Sequence, residues 1–235
     1  MTTGTGNCRA CAFRENTIFG CLEGETLGLL DGDKIVRTYH RGQVIFCEGG
    51  LPSAVYCIRS GQVKLFSIGS RAEQQVLRLA GPGETLGYSA LLSNKAHEAS
   101  AEALDRSEIC VIPKQTLLSL LHQSPNLAAA LLTKLALELR EVEGRLIAMS
   151  QDSVRQRTAN LLLMFLGDDG NCQGRASSIR TPVRRKEMAQ MIGTTPETFS
   201  RVLAHFSRCG ILAVSRKEIH VRDHWALLRM AEQPP

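Results

Sequence analysis

Apolar and polar positions change period along this chain, and the changes divide it. From Lys34 to about Pro113 they alternate in short segments broken by glycine. Lys34 to Tyr39, Gln43 to Cys47, Ala54 to Arg59, Gln62 to Ile68, Gln74 to Leu79 and Ser107 to Ile112 show the period of two that predicts strands. Gly42, Gly49-Gly50, Gly61, Gly69, Gly81-Pro82-Gly83 and Gly87 mark the corners. Such closely spaced short strands predict an antiparallel barrel or sandwich. Residues 1–20 are polar and poorly patterned, and Glu23 to Leu30 predicts a short helix. Beyond Pro113 the period turns helical. Lys114 to His122 forms one short helix and Pro125 opens a longer one. Its apolar positions, Leu132, Leu135, Leu139, Val142, Leu146 and Met149, follow steps of 3, 4, 3, 4 and 3. A helix packed on its own domain usually carries a wider stripe. This narrow heptad seam predicts parallel pairing with a second copy.

Val154 to Leu166 predicts another helix, and Gly167 to Asn171 a turn. Then comes Thr181 to Val214, TPVRRKEMAQMIGTTPETFSRVLAHFSRCGILAV. Arg185 to Met191 is helical, with Thr181 as N-cap, Pro182 at the first position and Gly193 past the end. Thr194 or Thr195 caps a second helix, with Pro196 and Glu197 in its first turn. Phe199, Val202, Leu203 and Phe206 form its apolar face. Glu197, Thr198, Ser200, Arg201 and His205 form the other. Ile211 to Val214 and Glu218 to Val221 read as a β-hairpin around Ser215-Arg216-Lys217. His224 to Met230 is a last short helix. Helix, short turn, helix and hairpin is the plan of a winged helix-turn-helix, whose second helix enters the DNA major groove. On that helix Glu accepts from cytosine N4, Arg grips guanine O6 and N7, and Ser bonds either way. Thr195 stands at its start, and Arg184, Arg185 and Lys186 are placed to meet the phosphate backbone. Two amphipathic helices of an ordinary α-rich domain would share much of this pattern.

Charge separates the two readings. Residues 1–150 hold 15 basic and 15 acidic side chains, and residues 151–235 hold 13 and 8, so the whole net charge of +5 falls in the second part. That is the footprint of a DNA-binding domain joined to a neutral partner. The fold class is therefore α+β. Residues 1–124 form a cysteine-bearing N-terminal segment and an antiparallel β-roll, 125–152 a dimerisation helix, and 153–235 the winged helix-turn-helix. No apolar run approaches the ~18 residues of a membrane span. The first residues lack a secretory pattern. A cytoplasmic protein with its eight cysteines reduced is expected. No Walker loop, nucleophile elbow or metal-hydrolase motif is present, so an enzyme is not expected.

A glycine-cornered β-roll, a dimerising helix and a C-terminal winged helix together resemble the CRP/FNR family of bacterial transcription regulators, from about Cys8 to Arg229. The residues that carry the resemblance are Pro196-Glu197-Thr198-Phe199-Ser200-Arg201, similar to the family's E-x-x-S-R recognition helix. Ile58-Arg59-Ser60-Gly61-Gln62-Val63-Lys64 in the roll and Cys110-Val111-Ile112-Pro113 at its exit are similar too. Serine at position 200 looks like the FNR branch, since the CRP branch has glycine there. The resemblance implies a homodimer on double-stranded DNA, working with RNA polymerase. It implies that Arg201 reads the guanine and Ser200 the thymine of a TTGA-like half-site, with Glu197 facing the opposite cytosine.

For the signal it implies three ligand classes. Cyclic AMP is not expected, because Gly83-Glu84-Thr85-Leu86-Gly87 is followed by no glutamate. Ala99-Ser100 also stands where the CRP branch has Arg-Ser. The FNR branch implies one [4Fe–4S] cluster per subunit on four thiolates. Cys8-x-x-Cys11 matches the first pair and Cys110 the distant fourth. Cys21 is the candidate third, at a longer spacing than the usual pattern. Cys47, Cys57, Cys172 and Cys209 have no motif role, and read as core or loop residues. Haem or nitric oxide sensing through His40 or His97, and a thiol switch between Cys8 and Cys11, stay open. So do a redox or electron-transfer protein and a regulatory module that docks on another protein. In oxygen-labile relatives a carboxylate on the long helix opposes pairing. Val142 stands at the matching place here, so a dimer is expected without any ligand.

Overall fold

The computed structural model describes residues 3–4, 7–69, 74–167, 177–179, 181, 183–215 and 218–232. The expected turn at Asp168–Asn171, together with Cys172, Pro182, Arg216 and Lys217, lies outside them. The chain divides into two units, residues 1–139 and 140–235, with the boundary inside one long helix.

The first unit begins with strand β1 (Thr3–Gly4), three 3-10 turns (Cys8–Ala10, Arg14–Asn16, Ile18–Cys21) and helix α1 (Gly24–Asp33). The roll follows as β2 (Ile35–Tyr39), β3 (Val44–Phe46), β4 (Ala54–Ser60), β5 (Val63–Ile68), β6 (Gln74–Ala80), β7 (Thr85–Leu86), α2 (Tyr88–Ser93), β8 (Ser100–Ala103) and β9 (Ser107–Pro113). Helix α3 (Lys114–Gln123) and the start of α4 (Pro125–Gln151) complete it. One antiparallel sheet has the order β1-β2-β9-β4-β7, the other β3-β8-β5-β6. All six strands expected from alternation are present. The short β7, β8 and α2 carried no readable period, because two to six residues cannot show one.

Two apolar clusters hold this unit. One lies in the roll, where Ile58, Val63, Ala101 and Ile109 are fully buried. The other joins the N-terminal segment to α1, α3 and α4 through Ile18, Phe19, Leu22, Leu117, Leu120 and Leu127. The first twenty residues are thus not a bare tail. Their turns place single apolar residues in the core without any repeat, and Phe19 alone contributes about 1.5–3 kcal/mol by burial. The Arg14 guanidinium holds the segment by donating to the carbonyls of Gly20 and Leu22.

The second unit contains the end of α4, α5 (Val154–Leu166), β10 (Ser177–Ile179), α6 (Arg185–Met191), α7 (Pro196–Arg208), β11 (Leu212–Val214), β12 (Ile219–Val221) and α8 (His224–Glu232). A capping box starts α5. Ser153 Oγ accepts from the Gln156 N–H at 3.3 Å, and Gln156 Oε1 accepts from the Ser153 N–H at 2.8 Å. The small sheet has the order β10-β12-β11, with Leu212 opposite Val221 and Val214 opposite Ile219. Helix α5 packs against α7 and α8.

Candidate functional site

Helix α6 starts at Arg185, not near Thr181. Its N-cap is Arg184, whose N–H donates to the Glu187 carboxylate at 2.8 Å. That side chain closes the first turn three residues on, which Thr181 is too far upstream to do. The turn to α7 is made by Gly193, at φ +62°. Gly193 N–H reaches Gln190 O and Thr194 N–H reaches Ala189 O, both at 3.0 Å, so the last carbonyls of α6 are satisfied. Thr195 Oγ1 then accepts the Thr198 N–H at 3.2 Å and starts α7.

Helix α7 is sharply two-sided. Phe199, Val202, Leu203 and Phe206 are buried, and Phe199 and Phe206 are completely so. Thr195, Glu197, Ser200 and Arg201 are exposed on its N-terminal half, while Thr198 and His205 are half-buried. The Arg201 guanidinium donates to Thr198 Oγ1 at 3.0 Å, which holds it along the exposed face. Arg184 and Arg185 are exposed beside this face. Arg185 Nη2 donates to Ser215 O at 2.6 Å and ties α6 to the hairpin.

A cavity of about 40 Å³ opens in the first unit. Cys8, Cys11, Cys57 and Cys110 border it, with the apolar Phe19, Leu30 and Ile112 and the cations Arg14, Lys34 and Arg59. Cys57 and Cys110 are direct partners across the β4–β9 pairing. The Cys8 N–H donates to Asp31 Oδ1 at 2.8 Å, and the same carboxylate pairs with the buried Lys34. Burial pushes the Cys57 thiol up to about 12 and the Cys110 thiol up to about 11. Burial also raises Cys8, against the pull of Lys34. Cys21 does not border the cavity. It is exposed, with its sulfur 3.5 Å from the Ile18 carbonyl. Cys47 and Cys209 are exposed as well. Cys57, read as a core or loop residue without a role, is the cavity residue that sequence reasoning missed. The signal was its pairing with Cys110, which becomes visible only once the strand register is known. Among the described residues no three His, Cys, Asp or Glu side chains converge as ligands of one metal ion. His97 is buried and stacked on Phe46 at 4.3 Å, whereas His40 is exposed.

The seam of α4 is largely exposed. Leu127 and Leu131 are buried in the unit's own core, and Leu135 packs on that core. Leu132, Leu139, Val142, Leu146 and Met149 are 46–67% exposed. Arg78 ties the helix to the roll. It pairs with Glu84 at 2.6 Å and with Glu138 of α4 at 3.5 Å.

Two family models match the chain. A cyclic nucleotide-binding domain covers residues 36–124, and a Crp-like helix-turn-helix domain covers residues 156–230. The transcriptional activator protein Anr of Pseudomonas protegens is 28% identical over 96% of this chain and 92% of its own length. FixK2 of Bradyrhizobium japonicum shares the fold, with a TM-score of 0.73 at 23% identity, over 85% of this chain and 98% of that one. The cyclic AMP receptor protein of Thermus thermophilus is 33% identical over 80% of this chain and 83% of its own length. This chain belongs to the CRP/FNR family. It is a DNA-binding transcription regulator of the CRP/FNR type, and members of this family are not enzymes. Among the described residues no helix is long and apolar enough to cross a membrane.

Proposed function

We propose that this CRP/FNR regulator binds a TTGA-like inverted repeat as a homodimer and reads an oxygen, redox or nitric oxide signal at its N-terminal cysteines. The observation that carries the DNA reading is the face of α7. Glu197, Ser200 and Arg201 project from the N-terminal half of a helix whose other side is wholly buried. That half is the part of a recognition helix that meets base edges. Arg184 and Arg185 lie beside it as phosphate contacts. The exposed α4 stripe is the pairing surface. RNA polymerase is the partner at the promoter.

The cavity supports the signal reading. It is bordered by four thiols, by the apolar Phe19, Leu30 and Ile112, by the neutral polar Asn7 and Thr17, and by three cations, Arg14, Lys34 and Arg59, a set that suits a [4Fe–4S] cluster. Cys8, Cys11 and Cys110 would hold it, and a bound cluster would supply an oxygen- and redox-labile group. Cyclic AMP is disfavoured by the roll's own bonding. Ser100 Oγ accepts the Glu48 N–H at 2.9 Å, and Glu84 is engaged by Arg78 and by the Gly81 N–H.

Titration of a labelled TTGA…TCAA duplex tests the DNA reading. Arg201→Ala is expected to lose about 1–3 kcal/mol of binding and to tolerate changes at the guanine, while Arg185→Ala weakens all sequences evenly. An Arg201→Ala protein that binds the duplex as tightly as wild type overturns the assignment.

A further inference from the structure

We infer that the fourth sulfur of this site comes from Cys57, with Cys8, Cys11 and Cys110, and that Cys21 takes no part; this rests on the cluster reading above. Register is the first argument. Cys57 and Cys110 are cross-strand partners, and directly opposed residues keep their Cβ atoms about 4.5–5.5 Å apart on one face of the sheet. The face is the one that borders the cavity. Ile112, two residues beyond Cys110, borders it too, as the strand period of two requires, and so does Arg59, the unpaired residue at the register shift after Ile58.

Spacing is the second argument. A single tetrahedral ion with metal–sulfur bonds of ~2.3 Å draws its ligands to roughly 3.8 Å from one another. A four-iron cluster binds each thiolate to a different iron and spreads them wider. Four thiols spread around the walls of one cavity suit the second case. Charge is the third. Four thiolates on an oxidised cluster carry a net charge of roughly −2, and Lys34 and Arg59 both stand at the cavity. As each iron–sulfur bond forms, the thiol proton leaves to solvent. Cys21 has none of these relationships. The cavity contact of its 3-10 turn is made by Phe19.

The test is anaerobic reconstitution of the full-length protein with ferrous iron and sulfide. Iron and acid-labile sulfide per chain and the absorbance near 400 nm are measured for wild type, Cys21→Ser, Cys57→Ser and Cys57→Ala. Circular dichroism and urea midpoints of the apo-proteins establish that each variant is folded. Wild type and Cys21→Ser are expected to take up about four irons per chain, as a four-iron cluster requires, and folded Cys57 variants at least fourfold less stable cluster absorbance on exposure to air. A Cys21→Ser protein that loses the cluster, or a folded Cys57→Ala protein that keeps it as firmly as wild type, overturns the inference alone. A wild-type protein that takes up no iron and sulfide overturns the cluster reading, and the assignment of Cys57 with it.

Discussion

Cys57 and Cys110 stand directly opposite each other in the antiparallel pairing of β4 with β9, yet one is nearly enclosed and the other half-buried. The thiolate is the reactive form, and burial holds both thiols protonated. In apo-protein treated with iodoacetamide at neutral pH, Cys21, Cys47 and Cys209 are expected to react first and Cys57 last. Peptide mass spectrometry over a time course reads this order. Early loss of the Cys57 thiol would contradict it.

The seam of α4 predicts assembly without a ligand. Leu139 and Val142 are both more than half exposed in the single chain. Sedimentation of air-exposed and anaerobic apo-protein is expected to show the dimer in both. Val142→Asp places an unpaired carboxylate in that seam, at a cost of a few kcal/mol per dimer. The dissociation constant is then expected to rise at least 100-fold, about 2.7 kcal/mol. A clean wild-type monomer in air would rule out constitutive pairing.

His97 predicts an acid limit. Burial holds its imidazole below the usual value near 6.5, so the folded roll keeps it neutral. The unfolded chain therefore binds more protons below about pH 6.5. Stability is full above that pH and falls as the pH drops through the lowered folded value, at up to about 1.4 kcal/mol per pH unit. Urea midpoints between pH 7 and 5 measure the slope. His97→Phe should flatten it, because the stacking on Phe46 is kept and the proton site removed.

Gly61 predicts a backbone effect. It sits at φ +84°, and a Cβ there would lie 2.3 Å from Ser107 Oγ and 2.7 Å from Ser107 Cα. Gly61→Ala is expected to cost at least about 2 kcal/mol, from a left-handed conformation and a contact with backbone. Thermal denaturation reads it, and DNA affinity of the remaining folded protein should not change.

The regular elements and the output face were readable in the linear order of residues, because their signals are local. Alternation marked six strands. Helical period marked α3 to α8, and Gly193, a cap at Thr194 or Thr195, and Pro196 bounded α7 through backbone geometry that acts within four residues. Glu197, Ser200 and Arg201 fell on one face simply by helical spacing. The charge division followed from counting.

What the linear order could not show are relations between distant residues. The pairing of Cys57 with Cys110 depends on the β4–β9 register. The exclusion of Cys21 from the cavity depends on a 3-10 turn that points Phe19 inward. The burial of Ile18 and Leu22 in a segment without period depends on α1, α3 and α4 meeting it. Likewise, Leu135 belongs to the heptad seam by spacing but packs on the unit's own core. Sequence by itself determined the longer helices and strands and which side of α7 stays polar, since dihedral preference and periodicity are local. Only the tertiary structure decided which sulfurs share a cavity, because strand register and loop packing bring together residues up to about a hundred positions apart.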